Sequence, residues 1–229
     1  GGCSKGSGMI HPNMATLLSY LTTDALVSKS FLQDSLRAAV DDTFNMVTID
    51  GDMSTNDTVM LFANGAAGNR TIEAGTADAE AFAGALLVVC DHLARELVRD
   101  AEGSSKIFSA RVEGAASIAD ARLAARAVAG SLLVKSAIHG NDPNWGRVVA
   151  AVGYSGAEVD VTKVSFFINN VAIMEAGTPI SFHREAVIAI MNNPEVSLTV
   201  KLGLGDASAV AWGCELTEEY VQFNSAYTT

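Results

Sequence analysis

Half of what usually identifies a chain is scarce here. There are three cysteines in 229 residues, Cys3, Cys90 and Cys214, far apart and with no C-x-x-C pair. An odd, scattered set builds neither a disulfide framework nor a structural zinc site, and it fits a reducing, cytoplasmic setting. The four histidines are equally dispersed, so no metal is expected. Fifteen basic residues against 26 acidic ones give a net charge of −11 with no basic run, which argues against nucleic acid as a partner. No apolar stretch approaches the roughly 20 residues of a membrane span, and none is expected to sit in a membrane. The longest, Ala83–Cys90, is flanked by charged helix formers and reads as a core helix. Prolines number only four. What is abundant is apolar side chain, 49% of residues, so a packed globular chain is the expectation. The opening Gly1-Gly2-Cys3, without initiator methionine or signal pattern, reads as the interior of a longer precursor.

Helical and strand-like segments alternate along the chain. Phe31–Phe44 carries a helical apolar period with Ser28 and Ser30 as candidate caps, and Asp78–Asp100 places Phe82, Leu86, Val89, Leu93 and Leu97 on one face. Ile118–Val134 reads as one alanine-rich helix, and Asn144–Val152, Phe182–Met191 and Glu218–Asn224 as shorter ones. Strands are expected at Val47–Ile49, Thr58–Ala63, Ile107–Val112, Val164–Asn169, Val171–Glu175, Val196–Leu202 and Ala209–Glu215, with Asn169–Asn170 as a tight hairpin turn. Several strand pairs lie too close in sequence for a crossover. The fold class is therefore α/β in layers with much antiparallel pairing. Gly114–Ser117 and Gly153–Gly156 are candidate boundaries between two subdomains.

Chemistry concentrates in a few places. In GSGMIHPNMATLL, Thr16 follows a glycine-rich bend and the small Ala15. Its plain reading is a cap or turn threonine. The sharper one is an N-terminal nucleophile, freed by cleavage of the Ala15–Thr16 bond, whose own α-amine takes the hydroxyl proton. Such an amine has a pKa of about 7.7–8.0, so roughly a tenth or more of it is neutral near pH 7 and little tuning is needed to raise that share. Glu96 sits at the edge of a helix's apolar face, where a carboxylate is either ion-paired or turned into a cleft. Lys5 in CSKGSG is a loop lysine that can reach a carboxylate, although the P-loop spacing is missing. IDGDMSTNDTV crowds Asp50, Asp52 and Asp57 without matching a calcium loop and reads as a hydrogen-bonded loop beside a site. In GNDPNWGR, Trp145 is a bulky anchor and Arg147 a candidate partner for a carboxylate.

Five stretches together, KGSGMIHPNMATLL, TIDGDMSTNDTV, DAEGSSK, IHGNDPNWGRVVAAVGYSG and WGCELTEEYVQFNSAYTT, resemble the ornithine acetyltransferase family, the bifunctional glutamate N-acetyltransferases of arginine biosynthesis. The resemblance runs from Lys5 to Thr229. It implies an αββα, N-terminal-nucleophile-like sandwich and a precursor that cuts itself at Ala15–Thr16. Gly1–Ala15 would then end an α chain, and Thr16–Thr229 would be the β chain of an α2β2 heterotetramer. It implies acetyl transfer from N2-acetylornithine to glutamate through an acetyl-Thr16 ester, with no cofactor, and with acetyl-CoA as a further donor in bifunctional members. Lys5, Thr16, Glu96, Asn224 and Thr229 match substrate-contacting positions of the family, whereas its oxyanion hole lies outside this sequence. Two alternatives share parts of this pattern. One is an N-terminal-nucleophile aminopeptidase or amidohydrolase. The other is an uncut, non-catalytic amino-acid-binding relative.

Overall fold

A computed structural model describes residues 1–11 and 17–226. Two sheets organise it. The smaller has the order β1-β2-β4, with β1 (Gly2–Lys5) antiparallel to β2 (Leu18–Thr23) and β2 parallel to β4 (Thr58–Ala63). The larger has seven strands in the order β3-β10-β5-β9-β6-β7-β8: β3 (Val47–Thr48), β10 (Ala207–Cys214), β5 (Ile107–Ala115), β9 (Glu195–Lys201), β6 (Ser165–Ile168), β7 (Val171–Glu175) and β8 (Thr178–Pro179). Both sheets mix parallel and antiparallel neighbours, and helices cover one face of each. The layered α/β expectation holds.

The larger core lies between the seven-stranded sheet and three helices, α3 (Ile118–Gly130), α5 (Trp145–Gly153) and α6 (Arg184–Met191). Phe108, Val112, Phe166, Leu198 and Val200 point up from the strands. The facing side of α3 is Ala121, Ala124, Ala125, Val128 and Ala129, all buried, so the helix lies close on the sheet. At Gly213 the fit leaves no room for a side chain: an added Cβ would stand 2.9 Å from the Ala129 carbonyl oxygen and 2.9 Å from the Phe108 ring.

The second core joins the small sheet to the large one. The helix α1 (Lys29–Asp42) and the long helix α2 (Ala77–Arg99) cover one face of β2 and β4. Leu86, Cys90, Ala94, Leu97 and Val98 of α2 meet Leu17, Leu21, Val59 and Leu61 from the small sheet, and Val47, Ile107 and Cys214 from the edge of the large one. Burying a Leu or Val side chain contributes roughly 1.5–3 kcal/mol, so this shared helix face fixes one sheet against the other. Arg95 lies over the Trp212 ring at 4.8 Å and closes the same seam.

Most elements fall where the periodicity puts them. The exceptions have local causes. The single helix expected over Ile118–Val134 is two, because Ser131 takes extended backbone angles and its hydroxyl accepts from the Val134 amide, capping a new helix, α4 (Leu132–His139). The strands β1, β2 and β8 went unread. Two of them are short edge pieces, and β2 follows the glycine-rich bend. No described helix is long and apolar enough to cross a membrane.

Candidate active site

The acidic loop Ile49–Val59 holds the chain on both sides of residues 12–16. On the upstream side, the Asp50 carboxylate accepts from the amides of Met9 (2.6 Å) and Ile10 (3.0 Å). The Ile49 amide donates back to the Ile10 carbonyl at 2.7 Å. On the downstream side, Asp57 Oδ1 accepts from the Leu17 amide at 2.8 Å, and the Thr58 amide donates to the Leu17 carbonyl at 2.9 Å. Met9 has φ = 53°, a strained angle for a residue with a Cβ, and the Asp50 contact pins it there. Asp57 Oδ2 is buried, with no partner among the described residues. Burial raises the pKa of this carboxyl group, opposed by the Leu17 hydrogen bond.

The far end of the chain arrives at the same place. The last helix, α7 (Glu218–Ala226), buries none of its side chains and is tied down by polar contacts. Thr217 Oγ1 donates to the Gly103 carbonyl, Tyr220 Oη donates to Asp50 Oδ2 at 3.0 Å, and Asn224 Nδ2 donates to Glu102 Oε2 at 3.0 Å. Gly103, at φ = 67°, lets α7 approach, since a Cβ there would lie 2.8 Å from the Tyr220 amide. The Glu102 amide donates to the Ser7 carbonyl, and its carboxylate lies against Gly8. Glu102 and Tyr220 were not singled out in the sequence, and Asp50 was read only as one member of a hydrogen-bonded loop beside a site. Their motifs were visible, but contacts spanning 122 and 170 residues were not.

Of the residues expected to contact substrate, three are described. Lys5 is exposed at the end of β1, opposite Leu18, the second residue after Thr16. Glu96 lies on the solvent side of α2, its Oε1 held by Arg99 Nε at 3.1 Å, and the same guanidinium reaches Glu195. That is the ion pair which the edge position allowed. Asn224 faces Glu102, as above. Ala15, Thr16 and Thr229 lie outside the described residues. Arg147, a candidate carboxylate partner, instead donates to the Leu133 carbonyl at 3.0 Å, at the start of a helix that Asn144 caps. Trp145 stays partly exposed and anchors no core.

A buried polar layer supports the loop from below. Lys135 is fully buried, and its Nζ donates to the Cys214 carbonyl at 2.9 Å. Burial lowers its pKa, while Cys214 and Asp50 pull it back up. His11 bonds Thr48 Oγ1 at 3.0 Å, and burial followed by the charge of Arg126 keeps its pKa low, so this ring is neutral near pH 7. Burial works against the Glu215 charge, but hydrogen bonds from His139 and Ser105 outweigh it and leave that carboxyl group below its usual range. No cluster of three or more metal-binding side chains occurs among the described residues.

Comparison with known proteins matches this arrangement to one family. The ArgJ family profile covers residues 1–229. The chain is 52% identical over 229 residues to the arginine biosynthesis bifunctional protein ArgJ of Symbiobacterium thermophilum, covering all of this chain and 57% of that protein. It is 46% identical to the protein of the same name from Dehalococcoides mccartyi, over all of this chain and 56% of that one. The chain thus spans little more than half the length of these curated relatives. A crystal structure of the Bacillus halodurans ArgJ protein superposes with a TM-score of 0.89 at 39% identity, over 91% of this chain and 98% of that chain. The chain belongs to the ArgJ family.

Proposed function

We propose that the protein containing this chain transfers the acetyl group of N2-acetylornithine to glutamate, in arginine biosynthesis, with Thr16 as the nucleophile. Two things support this reading: family membership, and the loop that fastens the chain on both flanks of the Ala15–Thr16 bond. The second carries it. Attack of a threonine hydroxyl on its own preceding carbonyl needs a bond held at a fixed bend, and the carboxylates of Asp50 and Asp57, on one loop, grip Met9, Ile10 and Leu17.

In this reading the Thr16 hydroxyl attacks the Ala15 carbonyl, the acyl group moves from nitrogen to oxygen, and water hydrolyses the ester. This leaves Ala15 as a carboxylate and Thr16 with a free amine. Gly1–Ala15 then end an α chain and Thr16–Thr229 form the β chain, the two assembling as α2β2 in the cytoplasm. The solved Bacillus halodurans chain is matched over nearly its whole length, whereas curated relatives are matched over little more than half, which fits a family that exists as separate chains. The Thr16 amine next accepts the hydroxyl proton as Thr16 takes the acetyl group from acetylornithine. Ornithine leaves, and glutamate collects the acetyl group. Lys5 faces a substrate carboxylate, Glu96 a substrate ammonium through Oε2, the oxygen that Arg99 does not hold, and Asn224 and Thr229 the remaining polar groups. The oxyanion hole comes from the rest of the protein. Acetyl-CoA is a further donor if this member is bifunctional, as its relatives' names say of them.

Intact-mass analysis of the product of the full-length gene tests the first step. A fragment beginning at Thr16, absent from a Thr16→Ala variant, is expected. Transfer of labelled acetyl from acetylornithine to glutamate tests the second, and release of acetate regardless of glutamate would make the protein a hydrolase instead.

A further inference from the structure

Lys135, on α4, takes no part in the proposed chemistry, yet the chain buries it completely. Its ammonium is paired with no carboxylate among the described residues. Nζ donates to the Cys214 carbonyl at 2.9 Å, lies 3.8 Å from the Cys214 sulfur and stands 5.8 Å from the centre of the Phe108 ring. A buried charge in such company costs stability, because a carbonyl and a ring do not fully replace the water it has lost. A methionine would fill the same space without that cost. A local choice that works against the fold points to a function.

The contacts of Lys135 lead to the acidic loop. The Cys214 thiol beside Nζ donates to the Ile49 carbonyl at 3.7 Å. The Ile49 amide donates in turn to the Ile10 carbonyl, and the next residue is Asp50. Asp50 accepts from the amides of Met9, Ile10 and Asp52 and from the Tyr220 hydroxyl. Four donors suit a charged carboxylate, which makes the stronger bonds. Its surroundings oppose that charge. Burial and then the charges of Asp50, Asp52 and Glu102 push the Tyr220 hydroxyl up, so three carboxyl groups crowd one spot. Lys135 answers them from beneath. Burial lowers its pKa, and Cys214 and Asp50 both pull it back. Arg126, on α3, is the other cation of this layer, and its charge acts on His11 more strongly than that of Lys135 does.

We infer that Lys135 is a positioning residue for self-cleavage: its buried charge balances Asp50 and holds Ile49–Gly51 in place, and so fixes the upstream flank of the Ala15–Thr16 bond. The cleavage itself rests on the proposed function, whereas the contacts beneath the loop do not. The downstream flank is independent of Lys135. Asp57 holds Leu17 there, and burial and the Leu17 amide, not Lys135, are what act on Asp57. A lysine that merely stabilised the fold would affect both flanks alike.

The test uses the protein expressed from the full-length gene. Lys135→Met removes the charge and the donor. Lys135→Gln removes the charge but keeps a donor for the Cys214 carbonyl. Amide hydrogen exchange is read at Met9, Ile10 and Leu17, and the Thr16 fragment is followed by intact mass. Both variants are expected to speed exchange at Met9 and Ile10 roughly tenfold, to leave Leu17 unchanged, and to slow the fragment's appearance roughly tenfold. On an Asp50→Asn background the same substitutions are expected to change none of these rates further. Equal acceleration at all three amides would make Lys135 a general stabilising residue and overturn the proposal, as would unchanged exchange at Met9 and Ile10 or full additivity with Asp50→Asn. A glutamine variant indistinguishable from wild type would place the effect in the hydrogen bond instead of the charge, and overturn it too. Selective acceleration at Met9 and Ile10 with cutting at the wild-type rate would remove Lys135 from cleavage and leave the proposed function standing. The same selective acceleration in a series where even the wild type stays uncut would remove the proposed function and uphold the hold of Lys135 on the segment.

Discussion

At Asp57 one carboxylate oxygen is satisfied by the Leu17 amide, and the other is buried without a partner among the described residues. Burial raises the folded-state pKa above the usual 3.8. The folded chain then binds a proton more readily than the unfolded one. This contribution to stability is complete below pH 3.8 and is lost as pH rises through the raised value. An asparagine keeps an oxygen for Leu17 and removes the charge. Asp57→Asn is thus expected to melt at or above the wild-type temperature, the gap opening as pH climbs above about 3.8. Asp57→Ala is expected to lose about 1–2 kcal/mol at all these pH values and to slow appearance of the Thr16 fragment. Melting curves across the pH range decide the first point, and a time course of intact mass the second. An Asn variant less stable at pH 6 than at pH 4, relative to wild type, would refute the sign. Lys135 poses the converse case. Its ammonium is fully buried, donating to the Cys214 carbonyl with the Cys214 sulfur beside it, and its pKa is lowered from 10.5 by burial. The unfolded chain holds the proton better, so stability from this group is reduced at neutral pH and recovers as pH rises towards 10.5. Lys135→Met is expected to raise the melting temperature at pH 7, with the advantage shrinking above pH 9. A lower melting temperature at pH 7 would mean that the Cys214 carbonyl bond outweighs desolvation.

Among the elements, the Asn169–Asn170 hairpin shows what sequence can specify. Two consecutive asparagines between β-rich runs signal a turn with both central residues at positive φ, and the angles are 43° and 68°. Asn169 also accepts from the Ser197 amide at 2.6 Å, fastening the turn to β9, whereas Asn170 has only its backbone to offer. Asn170→Gly is therefore expected to be neutral or slightly stabilising and Asn170→Val to cost about 1–2 kcal/mol. Urea titration resolves both, and equal stabilities for the two variants would discard this account. Ser131 shows where sequence falls short. The alanine-rich run around it has high helix propensity on both sides, and nothing local announces that one serine will leave the helix and cap the next. The strand β1 was hidden for another reason. Gly2–Lys5 has weak strand propensity, and pairing with β2 partners that lie well beyond the glycine-rich bend, Gly2 with Leu21 and Lys5 with Leu18, decides it. The site divides in the same way. Lys5, Glu96 and the acidic loop are legible as residue types in motifs, but the grip of Asp50 and Asp57 on opposite flanks of one short segment is tertiary and has no local signature.

Across the whole molecule, the two ends of the chain converge on the loop between β3 and β4. The helix α7 buries no side chain, yet three hydrogen bonds bring it to Gly103, Asp50 and Glu102. Each such bond is worth about 0.5–1.5 kcal/mol, so α7 sits at the weakly held end of the stability range. The grip on Met9, Ile10 and Leu17, by contrast, is made by Asp50 and Asp57 without help from α7, apart from the Tyr220 hydroxyl on one oxygen of Asp50. Cleavage and acetyl transfer should then separate when the tail is removed. A full-length protein ending at Thr217 is expected to cut at Ala15–Thr16 and to melt within a few degrees of wild type. It should lose acetyl transfer, because Asn224 and Thr229, the proposed substrate contacts of the tail, are gone. Tyr220→Phe, the milder change, is expected to cut normally and to raise the KM for acetylornithine more than it lowers kcat, since it only loosens the seating of α7 over the loop. Intact mass, melting temperature and acetyl-exchange kinetics on the same preparations test all three. If the truncated protein fails to cut while remaining folded, the tail is part of the cleavage machinery, and the division of labour between loop and helix drawn here is wrong.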